Sequence, residues 1–132
     1  MLGRHLLIEL YDCDPSRLDD ETLLREECVA AAKAMGATVV GVHSHRFQPV
    51  GVSVVVVLAE SHLALHTWPE HGTASADVFV CSPRIEPQQA KAYLSESLRA
   101  TRVAELELDR GREERETSAG WRVTELVTVP GE

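Results

Sequence analysis

The sequence predicts an α+β protein, a two-layer sandwich in which an antiparallel sheet carries two helices on one face. Three observations predict it. Runs rich in β-branched residues recur along the chain, above all Val54-Val55-Val56-Val57, and such residues suit pleated, packed strands. Two other segments carry their apolar residues at helical spacing. Finally, 132 residues, 44% of them hydrophobic, are enough for one core, so a single domain over residues 1–132 is expected. Strand runs mixed with two helices pack as one sheet with both helices on a single face.

The elements follow in order. His5 to Tyr11 reads as a first strand, closed by the turn-prone Asp12 to Ser16. After Asp19 and Asp20, which can cap a helix, Leu24, Cys28, Ala31, Ala32 and Met35 fall at i, i+4, i+7, i+8 and i+11. That is the apolar stripe of an amphipathic helix, and Gly36 ends it. Ala37 to His43 and Val50 to Leu58 are the next strands, the second buried on both faces. Gln48-Pro49 and Pro69 to Gly72 punctuate the middle, and Ala76 to Cys81 is a further strand. Pro87 opens a second helix with Ala90, Tyr93, Leu94, Ser97 and Leu98 on one face. Asp109 to Thr117 is charged and reads as an exposed turn, and Trp121 to Val129 as a last strand.

Several function classes are disfavoured by composition. Thirteen Lys and Arg against 21 Asp and Glu give a formal charge of −8, which argues against a nucleic-acid partner, since phosphates require clustered cations. The same acidity weakly attracts a cationic small molecule. No apolar run approaches the roughly 20 residues of a membrane span. The opening Met1-Leu2-Gly3-Arg4-His5 lacks a signal-peptide layout, so a cytoplasmic location is expected. Cys13, Cys28 and Cys81 are odd in number and show no CxxC spacing, which fits reduced thiols rather than a disulfide framework or a zinc ribbon.

The chemistry concentrates in Ala59-Glu60-Ser61-His62-Leu63-Ala64-Leu65-His66-Thr67-Trp68-Pro69-Glu70, where a buried strand runs into a serine flanked by a carboxylate and followed by two histidines. Ser61 as a hydrolase nucleophile would need a base, and the GxSxG elbow is missing. His62 and His66, with His43 and His45, would hold an ion if the i, i+4 pair lay on a helix; the β-rich context opposes that, and no metal is expected. Each residue taken singly also fits ordinary core packing.

The whole constellation resembles the prokaryotic S-adenosylmethionine decarboxylase proenzymes. The likeness runs from Leu2-Gly3-Arg4-His5 through Cys13-Asp14, His45-Arg46-Phe47, Gly51-Val52-Ser53 and Glu60-Ser61-His62-Leu63. It continues through His66-Thr67-Trp68-Pro69-Glu70, Ala74-Ser75-Ala76-Asp77-Val78 and Cys81 to Arg110-Gly111, and leaves about the last twenty residues unmatched.

The resemblance implies self-cleavage between Glu60 and Ser61 into fragments 1–60 (beta chain) and 61–132 (alpha chain). The Ser61 hydroxyl attacks the Glu60 carbonyl and turns the amide into an ester. β-Elimination then takes the α-proton of residue 61 and releases Glu60 as a new C-terminus; hydrolysis of the dehydroalanine left behind gives a pyruvoyl group and ammonia. Only a residue with a β-oxygen or β-sulfur can both attack and eliminate. By the same resemblance His66 handles proton transfer in processing, assisted by Ser53. The pyruvoyl group from Ser61 forms a Schiff base with the substrate amine and accepts the electron pair freed as carbon dioxide leaves, so no diffusible cofactor is implied. Cys81 holds the position of the proton donor to the product. Phe47 and His66 match positions that sandwich an adenine ring, Glu70 the carboxylate that binds ribose hydroxyls, and Trp68 lines the same region. The implied substrate is S-adenosylmethionine, with the product feeding spermidine synthesis, and the implied assembly is a homodimer whose sites lie between protomers.

Four departures from the family pattern stand out. Val54 replaces the usual Gly after Ser53, Thr73 an aromatic, Ala76 a larger aliphatic, and Ser82-Pro83 a single Gly after Cys81. Val54 should point to the opposite strand face from Ser53, whereas the losses at Thr73 and Ala76 should enlarge the region near the substrate. Two alternatives therefore stand beside the main expectation: a pyruvoyl-dependent L-ornithine or L-arginine decarboxylase of the same family, and an unprocessed, inactive homologue that regulates a partner.

Overall fold

A computed structural model of the chain describes residues 2–111 and the strand at 122–129. The elements are β1 (Gly3–Tyr11), α1 (Pro15–Leu18), α2 (Glu21–Ala34), β2 (Val39–Arg46), β3 (Val52–Leu58), β4 (Ser61–Trp68), β5 (Thr73–Val80), α3 (Pro87–Ser97), β6 (Arg102–Arg110) and β7 (Arg122–Val129). The strands form one antiparallel sheet in the order β2-β3-β4-β5-β1-β6-β7. The helices cover one face, giving the expected α+β sandwich.

Strand alternation builds the core. Leu6, Ile8 and Leu10 of β1, Val52, Val54 and Val56 of β3, Leu63 and Leu65 of β4, and Val78 and Val80 of β5 point to the helix layer and are buried. They meet Leu24, Cys28, Ala31 and Ala32 of α2, Ala90 and Leu94 of α3, and Leu98 just beyond it. Each large aliphatic side chain so buried contributes roughly 1.5–3 kcal/mol before entropy. Both helical stripes thus sit where their spacing places them.

Local chemistry fixes the helix ends. Asp20 caps α2 by accepting from the Leu23 N–H at 3.0 Å. Gly36, at φ +89°, ends it in a left-handed turn in which the Gly36 and Ala37 N–H groups bond back to the Lys33 and Ala32 carbonyls. Asp19 does not cap. Its carboxylate accepts from the Gly51 N–H and from Arg46, tying the loop before β3 to the start of α2.

Several details differ from expectation. Residues 61–68, not marked off as a strand, form β4, and β3 is buried on one face only, with Val55 and Val57 exposed on the other. The segment after Asp12 contains a short helix, α1, capped by Asp14 with Pro15 in its first turn. Residues 102–110 form β6, so Asp109 and Arg110 belong to a strand rather than to a turn; the remainder of that expected turn, from residue 112, lies outside the described residues. The strand expected from Ala76 begins at Thr73. The last strand falls where the sequence places it, as Arg122–Val129.

Candidate active site

Two groups of residues on β3, β4 and β5 hold the chemistry. The first surrounds the Glu60–Ser61 bond, in the two-residue link between β3 and β4. Ser61 is the first residue of β4, paired with Leu58 on one side and Val80 on the other. Its φ is +143°, a conformation that costs a residue with a β-carbon about 1–3 kcal/mol and that only a well-determined surrounding sustains. The two flanking ladders are that surrounding.

Glu60 is held at both ends. Its side-chain Oε1 accepts from the Thr38 N–H at 3.1 Å, and this bond holds its carboxyl below the usual carboxylate range. Its backbone oxygen accepts from the Cys81 N–H at 3.1 Å and from the Cys81 thiol at 3.0 Å. Two donors converging on a carbonyl are the arrangement that stabilises negative charge developing on its oxygen. The carbonyl so polarised is the one that a Ser61 hydroxyl would attack. A cavity of about 430 Å³, lined by Gly3, Arg4, Val80, Cys81 and Ser82 among others, opens beside Cys81. Cys81 is exposed, whereas burial pushes the Cys13 and Cys28 thiols up to about 11 and about 12.

The second group lies toward the other end of β4. Ser53 and His66 are direct cross-strand partners, and Ser53 Oγ is hydrogen-bonded to His66 Nδ1 at 2.7 Å. They line a cavity of about 320 Å³ with Phe47, Gly51, Trp68 and Glu70. Phe47 and Trp68 are large apolar side chains left exposed in a cavity that ends on a carboxylate. Gly51 shapes the rim: its φ is +108°, and a β-carbon there would stand 3.2 Å from the Thr67 carbonyl oxygen.

All the expected site residues therefore fall into these two groups, but one chain does not bring the groups together. Ser61 and His66 are five residues apart on a single strand, about 16 Å at 3.3 Å per residue. Strand geometry also removes the premise of a helical His62–His66 metal pair. His62 instead shares a carboxylate oxygen of Asp77 with His5, at 2.6 and 2.8 Å. The sequence reading assigned no role to Asp77, His5 or Thr38; only strand register, unknown beforehand, joins them to this region. Thr67 was also passed over: its buried hydroxyl accepts from the Val52 N–H and donates to the Leu18 carbonyl, fixing β3 and β4 under α1.

The departures from the family pattern separate in the same way. Val54 is buried on the helix side, opposite Ser53, as expected. Ala76 is also buried in the core on the helix side and does not line the cavity between Phe47 and Glu70, so its smaller volume is a matter of packing. Thr73 pairs with Trp68 across the β4–β5 ladder.

Comparison with known proteins agrees with this geometry. The family model described as S-adenosylmethionine decarboxylase matches residues 4–111. An S-adenosylmethionine decarboxylase proenzyme of Parasynechococcus marenigrum (strain WH8102) is 47% identical over 131 residues, covering 99% of this chain and 100% of that protein. The proenzyme of Thermotoga petrophila is 49% identical over 111 residues, covering 84% and 85%. Among solved structures, the adenosylmethionine decarboxylase of Aquifex aeolicus superimposes with a TM-score of 0.78 at 38% identity, over 88% of this chain and 96% of that one. With the matched region spanning every strand from β1 to β6, the chain belongs to the S-adenosylmethionine decarboxylase family.

Proposed function

We propose that the chain cleaves itself between Glu60 and Ser61 and that the product is a decarboxylase of S-adenosylmethionine, which supplies the aminopropyl donor for spermidine. The observation that carries this reading is the Glu60 carbonyl oxygen under two Cys81 donors, joined to a serine at φ +143°. The donors favour addition to that carbonyl, and the strain at Ser61 is released when its peptide bond breaks.

The residues present fit a pyruvoyl group formed at position 61. The hydroxyl, the polarised carbonyl and the strained bond needed to make it are in one place, and a thiol stands beside it. Once formed, the group supplies an electron sink for the pair freed as carbon dioxide leaves. The chain's own residues do the rest. Cys81 returns a proton to the carbon that lost carbon dioxide. Phe47, His66, Trp68 and Glu70 hold the nucleoside, with Phe47 and His66 against the adenine faces, Trp68 lining the same cavity and the carboxylate accepting from the ribose hydroxyls. Retention of Phe47 and Glu70 together in one cavity favours the nucleoside over ornithine or arginine.

Proton transfer to and from Ser61 requires a second copy. A separation of about 16 Å puts His66 beyond reach of the Ser61 in its own chain. A two-fold axis passing between the two groups lays each against its opposite number in the partner, so a homodimer carries two complete sites. The sheet face away from the helices, where Val55 and Val57 are exposed, is the surface available for that pairing. Among the described residues no helix is long and apolar enough to cross a membrane.

Intact mass combined with a substrate panel tests the proposal. Two fragments, with carbon dioxide released from S-adenosylmethionine and not from ornithine or arginine, are expected. A single species at 14.5 kDa after long incubation would overturn it.

A further inference from the structure

Four side chains from four strands meet on the open face of the sheet, at the end that holds Ser61. Asp77 lies on β5, and its carboxylate Oδ2 accepts from His62 Nε2 of β4 at 2.6 Å and from His5 Nε2 of β1 at 2.8 Å. Arg110 of β6 donates to His5 Nδ1 at 3.3 Å. With Nδ1 accepting, the hydrogen-bond network assigns the His5 proton to Nε2, the atom that faces Asp77. Phe79 sits between the two histidines in the strand register, with ring centroids 5.3 Å from His5 and 6.2 Å from His62. Arg110 lies over the same ring at 5.1 Å. Gly3 makes room, since a β-carbon there would fall 2.6 Å from Phe79.

Both histidines reach past their direct neighbour Phe79 to a carboxylate two residues along β5. Such a diagonal reach fixes the ring positions more narrowly than ladder bonds alone. Burial raises the Asp77 carboxyl, but the hydrogen bonds from His62 and His5 outweigh it, so Asp77 stays ionised through the neutral range. His62 is the residue bonded to Ser61. If the chain is cut at Ser61, β4 begins at a free end, and strand ends fray unless they are tied down. The first side chain past that end with a hydrogen-bonded partner is His62.

Resting on the function proposed above, we infer that Asp77 is a positioning residue: through His62 it holds the cut end of β4, and with it the reactive carbonyl made from Ser61, in place beside Cys81. Asp77 itself is not expected to touch the substrate. The side chains hydrogen-bonded to it are those of His5 and His62, from β1 and β4, and Arg110 of β6 acts on it through His5.

The experiment compares the wild-type protein with Asp77→Asn, Asp77→Ala and His62→Gln. It measures cleavage by intact mass, and kcat and KM for S-adenosylmethionine across pH 6–9 on fully cut protein. Misplacing a reacting group by about 1 Å costs up to about 100-fold in rate, so kcat should fall by about 10- to 100-fold in Asp77→Ala. It should fall less in Asp77→Asn, which keeps an acceptor oxygen, with KM within about two-fold throughout. Circular dichroism separates this from loss of fold, and Glu105→Gln, which breaks the helix-side pair with Lys91, controls for general destabilisation. If Asp77→Ala does not fold, His62→Gln decides. Unchanged kcat in the folded variants, or a change confined to KM, overturns the inference. An uncut, inactive wild-type protein overturns instead the function on which it rests.

Discussion

The thiol of Cys81 and the carbonyl oxygen of Glu60 are 3.0 Å apart, although the two residues are separated by the whole of β4 and β5. The contact exists because those strands form an unbroken hairpin whose register pairs Ser61 with Val80. On the function proposed above, one residue would thereby serve two events. Its N–H and thiol polarise the bond proposed to break, and the same thiol is then left facing the product of that break.

Substitution at Ser61 separates chemistry from strain. Ser61→Ala and Ser61→Gly both remove the attacking oxygen, so each should remain a single 14.5 kDa species. Glycine tolerates the φ of +143°, so Ser61→Gly should also be more stable than Ser61→Ala by about 1 kcal/mol. Denaturant titration of the two uncut proteins measures the difference. Equal midpoints would show that the strain is not stored at this residue.

Cys81→Ala removes the thiol and keeps the backbone N–H on the Glu60 carbonyl. Cutting should therefore continue, more slowly. Turnover should fall by about 100-fold or more, the typical worth of a lost general acid. Single-turnover kinetics on cut protein checks it, and unchanged turnover would remove the thiol from the reaction.

Ser61→Ala and His66→Ala offer a complementation test of the shared site. Neither variant should cut when expressed alone. Co-expressed, they should form mixed dimers in which the intact Ser61 of one chain meets the intact His66 of the other, and the His66→Ala chain should then be cut. Fragments carrying that chain's mass are the expected readout. No cutting in confirmed mixed dimers would place both residues in the same chain's site.

The buried thiols set an alkaline limit. Cys13 and Cys28 have folded pKa values raised by burial to about 11 and about 12, above the ordinary 9.0. The fold therefore favours their neutral forms, and that contribution is intact below pH 9 and is lost as the pH rises from 9 toward 12. Denaturation midpoints should fall between pH 8 and 11, and less steeply in Cys28→Ala. In the native protein at pH 8 a small alkylating agent should modify one thiol quickly, the exposed Cys81, and the other two only on unfolding. Rapid modification of all three would contradict the burial.

Much of the fold was legible because local pattern and tertiary role agree. The α2 and α3 stripes bury the residues that their spacing selects. Where they disagree, the sequence misleads. β6 escaped notice because Glu105, at an inward position, is a buried charge paired with Lys91 and Gln88 of α3, and a glutamate there breaks the apolar alternation. α1 was hidden in a turn-prone run, although Asp14-Pro15 carried a cap signal. The candidate site residues stand out by motif likeness, but their division into two groups was not legible. Distance along β4 becomes meaningful only once residues 61–68 are known to be one strand. The His5–Asp77–His62 cluster likewise depends on the register of three strands distant in sequence.

The strand order carries a last consequence. Of the two fragments proposed, residues 1–60 would own β1, β2 and β3, and residues 61–132 the other four strands. Because β1 lies between β5 and β6, the larger fragment alone would present an empty acceptor slot one strand wide, and the smaller would have to act as strand donor to fill it. The β2–β3, β4–β5 and β6–β7 pairs each lie within one half, but the continuous seven-stranded sheet needs both. If the chain is cut at Ser61 as proposed, the cut fits a chain that has already folded, and maturation would double as a proofreading step: a protomer that fails to insert β1 would not acquire the group on which the proposed activity depends.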